Sequence, residues 1–273
     1  MESTRLIAVG IADADHDQAA LLWTLDDARP GVDEVHLVHA YLPLRLEGCS
    51  WQPVVAARSA RRSQASRIIS AAQQRLRSVC PTLTVDGSVI AGLSWDVLQE
   101  MSRVVDLIVL GDDDPVAELA TTASRVARLA RCPVVTVPLD FHPSATADWP
   151  VTVLLRADEA DEPLVARGLR HAQRRGTNLI VAQLWSAPGS GETPMPELLA
   201  SRQEQLDTQI AAWCRRQPTV GVIGELLVDD GPAIVAELRQ RSCLLVVDAG
   251  DPHITDKAAL RFERRCPTET LPA

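Results

Sequence analysis

Short runs of β-branched and aliphatic residues alternate along this chain with longer segments whose apolar positions recur at helical spacing. Residues 5–11 (RLIAVGI) form a continuous apolar run, as a strand buried on both faces requires. Residues 15–29 place Ala19, Leu22, Trp23 and Leu25 near one helical face and stop at Pro30-Gly31. Residues 34–41 (EVHLVHAY) predict a second strand, and residues 53–79 a long helix carrying Ile68, Ile69, Ala72 and Leu76. A strand over 82–90, a helix over 94–102, a strand over 105–110, a helix over 116–130 and a strand over 134–137 complete the series. Strands that alternate with helices imply right-handed crossovers and a parallel sheet covered on both faces.

Residues 139–150 (LDFHPSATADWP) break the pattern with polar residues and prolines, after which it restarts. Strands are predicted over 151–155, 178–185, 220–228 and 243–248. Helices are predicted over 159–175, 197–217, 232–241 and 255–265, with a loop over 189–196. The two series echo one another in order: LVHAY (37–41) with VAQLW (181–185), DLIVLG (106–111) with CLLVVD (243–248), and RCP at 131–133 with RCP at 265–267. The expected organisation is therefore a unit over 1–138, a linker over 139–150 and a duplicated unit over 151–273. Each is a five-stranded, doubly wound parallel α/β unit.

Composition narrows the function classes. The chain has 273 residues, with 27 basic against 36 acidic side chains and a formal charge of −9. A general nucleic-acid binder needs a basic surface to displace counterions, and aromatic stacking platforms are scarce here at 3%. Lys257 is the only lysine and no glycine-rich run precedes it, which excludes a P-loop. No stretch approaches the roughly 20 apolar residues of a membrane helix, and the N-terminal residues lack a signal core, so a cytoplasmic protein is expected. Cys49, Cys80, Cys132, Cys214, Cys243 and Cys266 have no metal-binding spacing and read as small buried hydrophobes.

Several residues carry a family resemblance. Val9-Gly10-Ile11-Ala12-Asp13-Ala14 follows the first strand, Trp23 lies on the first helix, and VHLVHAY spans 35–41. Val105-Asp106-Leu107-Ile108-Val109-Leu110-Gly111 and Cys132-Pro133-Val134-Val135-Thr136-Val137 come later. Together they resemble the universal stress protein family in its tandem, two-domain form. The resemblance implies a Rossmann-like doubly wound sheet whose ligand crevice lies at the carboxyl ends of the strands. Many members of that family bind ATP there, through an Asp after the first strand and a glycine-rich phosphate loop.

This sequence departs from that pattern. Ala12 stands at the position of the family's Asp, with Asp13 one residue late; of the loop glycines only Gly111 remains, followed by Asp112-Asp113-Asp114-Pro115. Counting back from Cys132-Pro133 puts Ala120-Thr121 at the family's Gly-Ser pair. If the first crevice still bound a nucleotide, its contacts would be Asp13, Gly111, Thr121 and Thr122. Three carboxylates would then face the phosphates, each unit-charge pair at about 6 Å costing about 3 kcal/mol at an effective dielectric near 20. One threonine hydrogen bond returns only about 1 kcal/mol. In the second unit Arg156 or Ala157 replaces the Asp, and Asp248-Ala249-Gly250-Asp251-Pro252 replaces the loop.

Other candidates read as structural. Asp112–Asp114 reads as a solvated acidic loop capping a helix before it reads as a cation site. His36 and His39 lie three apart on a strand and so point to opposite faces. His253 with Asp251 and Asp256 reads as a helix-capping loop, and Arg58, Arg61, Arg62 and Arg67 as a solvated helix face. Trp23 and Trp95 read as packing anchors. The resemblance further implies that the units pair through their last strands; the second unit's 268–271 (TETL) is short and polar for that role. The expected function is a non-enzymatic stress-response module acting through a protein partner or self-association as a homodimer. No metal or catalytic group, no cofactor, no nucleic acid and no membrane are expected. The alternative is an ATP or adenine-nucleotide sensor using the first crevice. An adenine-nucleotide α-hydrolase-like enzyme is disfavoured by the absence of H-x-G-H and S-G-G-x-D-S.

Overall fold

The computed structural model describes residues 4–13, 15, 17–42, 51–112, 121–156, 162–185, 196–216, 218–228, 232–249 and 266–272. The chain divides into two compact units, residues 1–143 with Pro272, and residues 144–271 with Ala273. In the first, strands β1 (Leu6–Gly10), β2 (Glu34–Tyr41), β3 (Thr84–Ala91), β4 (Leu107–Gly111) and β5 (Val134–Val137) alternate with helices α1 (Gln18–Asp27), α2 (Trp51–Val79), α3 (Ser94–Met101) and α4 (Thr122–Leu129). In the second, β6 (Val151–Arg156), β7 (Leu179–Trp185), β8 (Val222–Val228), β9 (Leu244–Asp248) and β10 (Thr268–Leu271) alternate with α5 (Glu162–Arg175), α6 (Pro196–Arg216) and α7 (Pro232–Gln240). The predicted helix over 255–265 lies outside the described residues, as does the loop over 189–195.

Within the first unit the strand order is β3-β2-β1-β4-β5, and within the second β8-β7-β6-β9-β10, with the pairs inside each unit parallel. Each unit is therefore a Rossmann-like, doubly wound five-stranded sheet. Chain direction across the sheet reverses beside the first strand, between β1 and β4 in the first unit, and a crevice opens there at the carboxyl ends.

The apolar runs become strands because both sheet faces are covered. Ala8, Ile108, Leu110 and Val134 pack with Leu98 of α3 and Val126 of α4, while the alternate residues Ile7, Val9, Leu107 and Val109 are fully buried from the other side. In the second unit Leu154, Leu245 and Val247 pack with Val235 and Leu238 of α7. On α2 the buried positions Ala65, Ile69, Ala72 and Leu76 follow the helical period.

The duplication extends to backbone spacing. Leu37 pairs with Gly87, and Val181, its counterpart in the LVHAY/VAQLW echo, pairs with Gly224. A Cβ at Gly87 would lie 2.5 Å from Ile69 Cγ2 of α2. A Cβ at Gly224 would meet Ile210 Cδ1 of α6. In both units the long helix presses an isoleucine onto a glycine of the edge strand.

Two sequence expectations shift. On α1 the buried residues are Ala19, Ala20, Leu21, Trp23, Thr24 and Asp27, with Leu22 and Leu25 only half-buried. The buried face includes polar positions because both are satisfied: Thr24 Oγ1 donates to Ala20 O at 2.7 Å, and Asp27 accepts from Arg5 Nη1 at 3.0 Å. The polar segment TETL is a strand, β10, with Thr268, Glu269 and Thr270 buried. Glu269 is carried inside by α5, where Arg167 Nε donates to Oε1 at 2.8 Å and His171 Nε2 donates to Oε2 at 2.8 Å. No helix among the described residues is long and apolar enough to cross a membrane.

Candidate functional site

The crevice at the carboxyl ends of β1 and β4 encloses about 160 Å³. Gly10 closes β1 and Gly111 closes β4. Val38, His39 and Ala40 come from β2, Ser94 and Leu98 from α3, and Thr122 and Ala123 from the start of α4. Ile11, Val38, Leu98 and Leu110 give it buried apolar walls.

Asp17, immediately before α1, is the one carboxylate among the crevice's described lining residues. Asp at this position ordinarily accepts a hydrogen bond from the first turn of its own helix. Asp17 makes no such cap. Its carboxylate instead turns back on the β1–α1 loop, where Oδ2 accepts from Ala12 N at 2.6 Å and Asp13 N at 2.9 Å. Two successive backbone N–H groups converging on one point form an anion-binding concavity. Here it is filled by the chain's own carboxylate. The other oxygen, Oδ1, lies 2.8 Å from where a Cβ on Gly111 would stand. Thus the glycine that lets a ligand approach the backbone most closely faces a negative charge. An anion brought to about 5 Å of that carboxylate is opposed by about 3 kcal/mol at an effective dielectric near 20.

Of the four predicted contacts, Gly111 and Thr122 line the crevice and Asp13 and Thr121 are not among its described lining residues. Asp13 is exposed, and its Oδ1 accepts from Asp15 N at 2.8 Å. Thr121 is the N-cap of α4: Oγ1 accepts from Ser124 N at 3.2 Å and Ser124 Oγ donates to Thr121 O at 3.0 Å. Asp112 continues from β4, its N–H donating to Val137 O at 2.8 Å, whereas Asp113, Asp114, Pro115 and Ala120 lie outside the described residues. Asp17 is the site residue that motif reading misses, because that reading looks for a carboxylate directly after β1. Its signal in the sequence is slight, an acid at a helix start four residues beyond Asp13.

His39 Nδ1 lies 2.8 Å from Ile11 O, so Nδ1 carries the proton and Nε2 is the ring's acceptor in the neutral form. His36 Nε2 instead pairs with Ser88 Oγ at 2.9 Å, so the two histidines serve different places. Trp23 is fully buried, and Trp95 is half-buried with the Arg125 guanidinium 4.3 Å above its ring. Arg61, Arg62 and Arg67 are exposed on α2, and Arg61 Nη1 donates to Leu42 O at 3.1 Å. The side chains of Arg58 and Arg156 lie outside what is described, as do Ala157, Gly250, Asp251, Pro252, His253, Asp256 and Lys257.

A five-stranded 3-2-1-4-5 parallel unit with glycines at its switch point defines a class of doubly wound α/β domains, and comparison places the chain within that class. The family model described as "Universal stress protein family" matches residues 4–138, and the chain belongs to that family, in tandem form. A universal stress protein from Archaeoglobus fulgidus DSM 4304 has a similar fold, with TM-score 0.68 and 12% identity over 99% of this chain and 97% of that one. A protein from Pseudomonas aeruginosa UCBPP-PA14 assigned to the same family aligns with TM-score 0.61 and 15% identity over 98% and 93%. No curated protein matches the sequence at a significant level.

Proposed function

We propose that the protein is a non-enzymatic member of its family that acts in the cytoplasm, in stress response or its regulation, through contact with a protein partner or a second copy of itself. In this reading ATP is not its cofactor. The observation that carries it is the Asp17 carboxylate, which occupies the backbone N–H groups of Ala12 and Asp13 and stands against Gly111. A triphosphate entering that crevice meets a buried negative charge where it needs donors. The net charge of −9 supports a protein partner over a nucleic acid.

Calorimetry of the full chain with ATP, AMP and cyclic AMP, with and without Mg²⁺, tests this reading. The expected result is no heat of binding up to roughly 1 mM ligand. Micromolar binding of any of the three would replace it with that of an adenine-nucleotide sensor working through the first crevice.

A further inference from the structure

We propose that Cys243 and Cys266 of the second unit form a two-coordinate site for a soft monovalent cation, Cu(I), with the buried Arg239 guanidinium as its counter-charge. The two cysteines are distant in the chain, but the sheet brings them together. β10 pairs with β9 in parallel, with Thr268 opposite Leu245. Two residues back along that register, Cys266 stands opposite Cys243, and neighbouring strands run about 4.8 Å apart. Cys266 packs with Leu245 and Val247, on the face toward which alternation also turns Cys243. The Cys243 thiol is near enough to act electrostatically on that of Cys266. Both are free thiols, buried just before their strands begin.

Arg239, near the end of α7, is the second observation. It is only 6% exposed, its Nε has no hydrogen-bond partner, and no carboxylate among the described residues offsets its charge. Burial lowers its pKa and the Cys266 sulfur works against that, but a guanidinium stays protonated at neutral pH. The first unit offers a direct contrast. The echoes that align Asp106 with Cys243 and Cys132 with Cys266 also align Ser102 with Arg239. Ser102 is satisfied there: Oγ donates to Gln99 O at 2.6 Å and accepts from Arg131 N at 2.9 Å. The second unit instead holds a buried cation beside a buried thiol pair.

Charge selects the occupant. Burial, and then Cys243, push the Cys266 thiol up, so it keeps its proton until a cation displaces it. Thiolates are the ligands that favour Cu(I). Binding exchanges two thiol protons for one cation: 2 RSH and Cu⁺ give RS–Cu–SR⁻ and two H⁺, with no change of oxidation state. The bound group carries one negative charge and neutralises Arg239, and Arg175 adds positive potential at Cys266 in the same sense. Zn²⁺ on the same two thiolates is neutral and leaves Arg239 uncompensated. It also prefers four ligands, and no third His, Cys, Asp or Glu joins the pair among the described residues. A disulfide is neutral too and leaves the guanidinium as it was.

The test is an anaerobic titration of the reduced full chain with Cu(I) against a chromophoric Cu(I) chelator. The chain is expected to hold one tight Cu(I), and X-ray absorption at the copper edge to show two sulfur ligands. Cys243→Ser and Cys266→Ser should each weaken binding at least about a hundredfold, while a Cys80→Ser, Cys214→Ser double variant keeps it. Arg239→Gln gives the sharpest sign. Removing a positive charge strengthens the hold on a bare cation, but it should weaken an anionic dithiolate complex at least about tenfold. The wild-type measurements decide the matter even where a variant folds poorly. Failure of the wild-type chain to hold Cu(I), or three or more sulfur ligands, overturns the proposal. So does full retention by either cysteine variant, or unchanged or tighter binding in a folded Arg239→Gln protein.

Discussion

Asp33 is a carboxylate with no exposed side-chain surface, held between two guanidinium groups. Arg5 Nη2 reaches Oδ2 at 2.7 Å and Arg29 Nη2 reaches Oδ1 at 2.7 Å, while the Arg29 backbone N–H adds a third contact at 3.0 Å. Burial alone would raise its pKa, but these donors outweigh burial and hold it well below the usual carboxylate range. Removing one partner of a buried pair leaves the others uncompensated, so Asp33→Ala should cost about 3–5 kcal/mol by denaturant titration. Glu269 is the corresponding case in the second unit. Burial pushes its pKa up, yet the charges of His171 and Arg167 and their hydrogen bonds bring it down to about 2 from an ordinary 4.5. A carboxylate with a depressed pKa stabilises the fold fully above its unfolded value and loses that contribution as pH falls through the folded one. Stability should therefore fall between about pH 4.5 and about pH 2 on account of this group. Glu269→Gln should lower neutral-pH stability by about 3 kcal/mol and flatten that part of the acid limb, as read by denaturation at a series of pH values. An unchanged acid limb would contradict the role given to Glu269.

At the scale of elements, the long helices α2 and α6 sit close to their edge strands because glycine stands beneath an isoleucine. Gly87→Ala places a methyl 2.5 Å from the β-branched Ile69 Cγ2 and should destabilise the first unit by about 1–3 kcal/mol. Hydrogen exchange should show the loss first in α2 and β3; a neutral substitution would mean that the helix shifts freely. Thr121→Ala should cost about 1 kcal/mol through loss of the α4 N-cap. Most strands were legible because double-sided burial forces apolar runs, the polar β10 excepted, and α2 because Ile69, Ala72 and Leu76 keep the helical period. What was illegible depended on partners far away in sequence. Asp27 is buried by Arg5, 22 residues away, and Glu269 by His171, 98 residues away, so local polarity mis-stated both positions. Asp17 escaped notice for another reason: an acid before a helix reads as a cap, and only the structure shows it facing backwards.

At the scale of the molecule, one unit is written twice and then revised. Register carries Val109 opposite Val135 in the first unit and Val246 opposite Glu269 in the second, so equivalent last-strand positions hold an aliphatic side chain and a buried ion pair. The strand order and the glycine-under-isoleucine contact are kept, whereas the groups at the strand ends are not. The acidity of the chain acquires a location in the first crevice, at Asp17 beside Gly111. On the function proposed above, this crevice refuses a nucleoside triphosphate. The most direct measurement is a native mass spectrum of the full chain as purified, and again after Mg²⁺ and ATP are added at roughly 1 mM. The account predicts the mass of the bare chain or its multiples in both spectra. A resolved ATP adduct that survives gentle desolvation in either spectrum, and that vanishes when the crevice is blocked by Gly111→Leu, would contradict it.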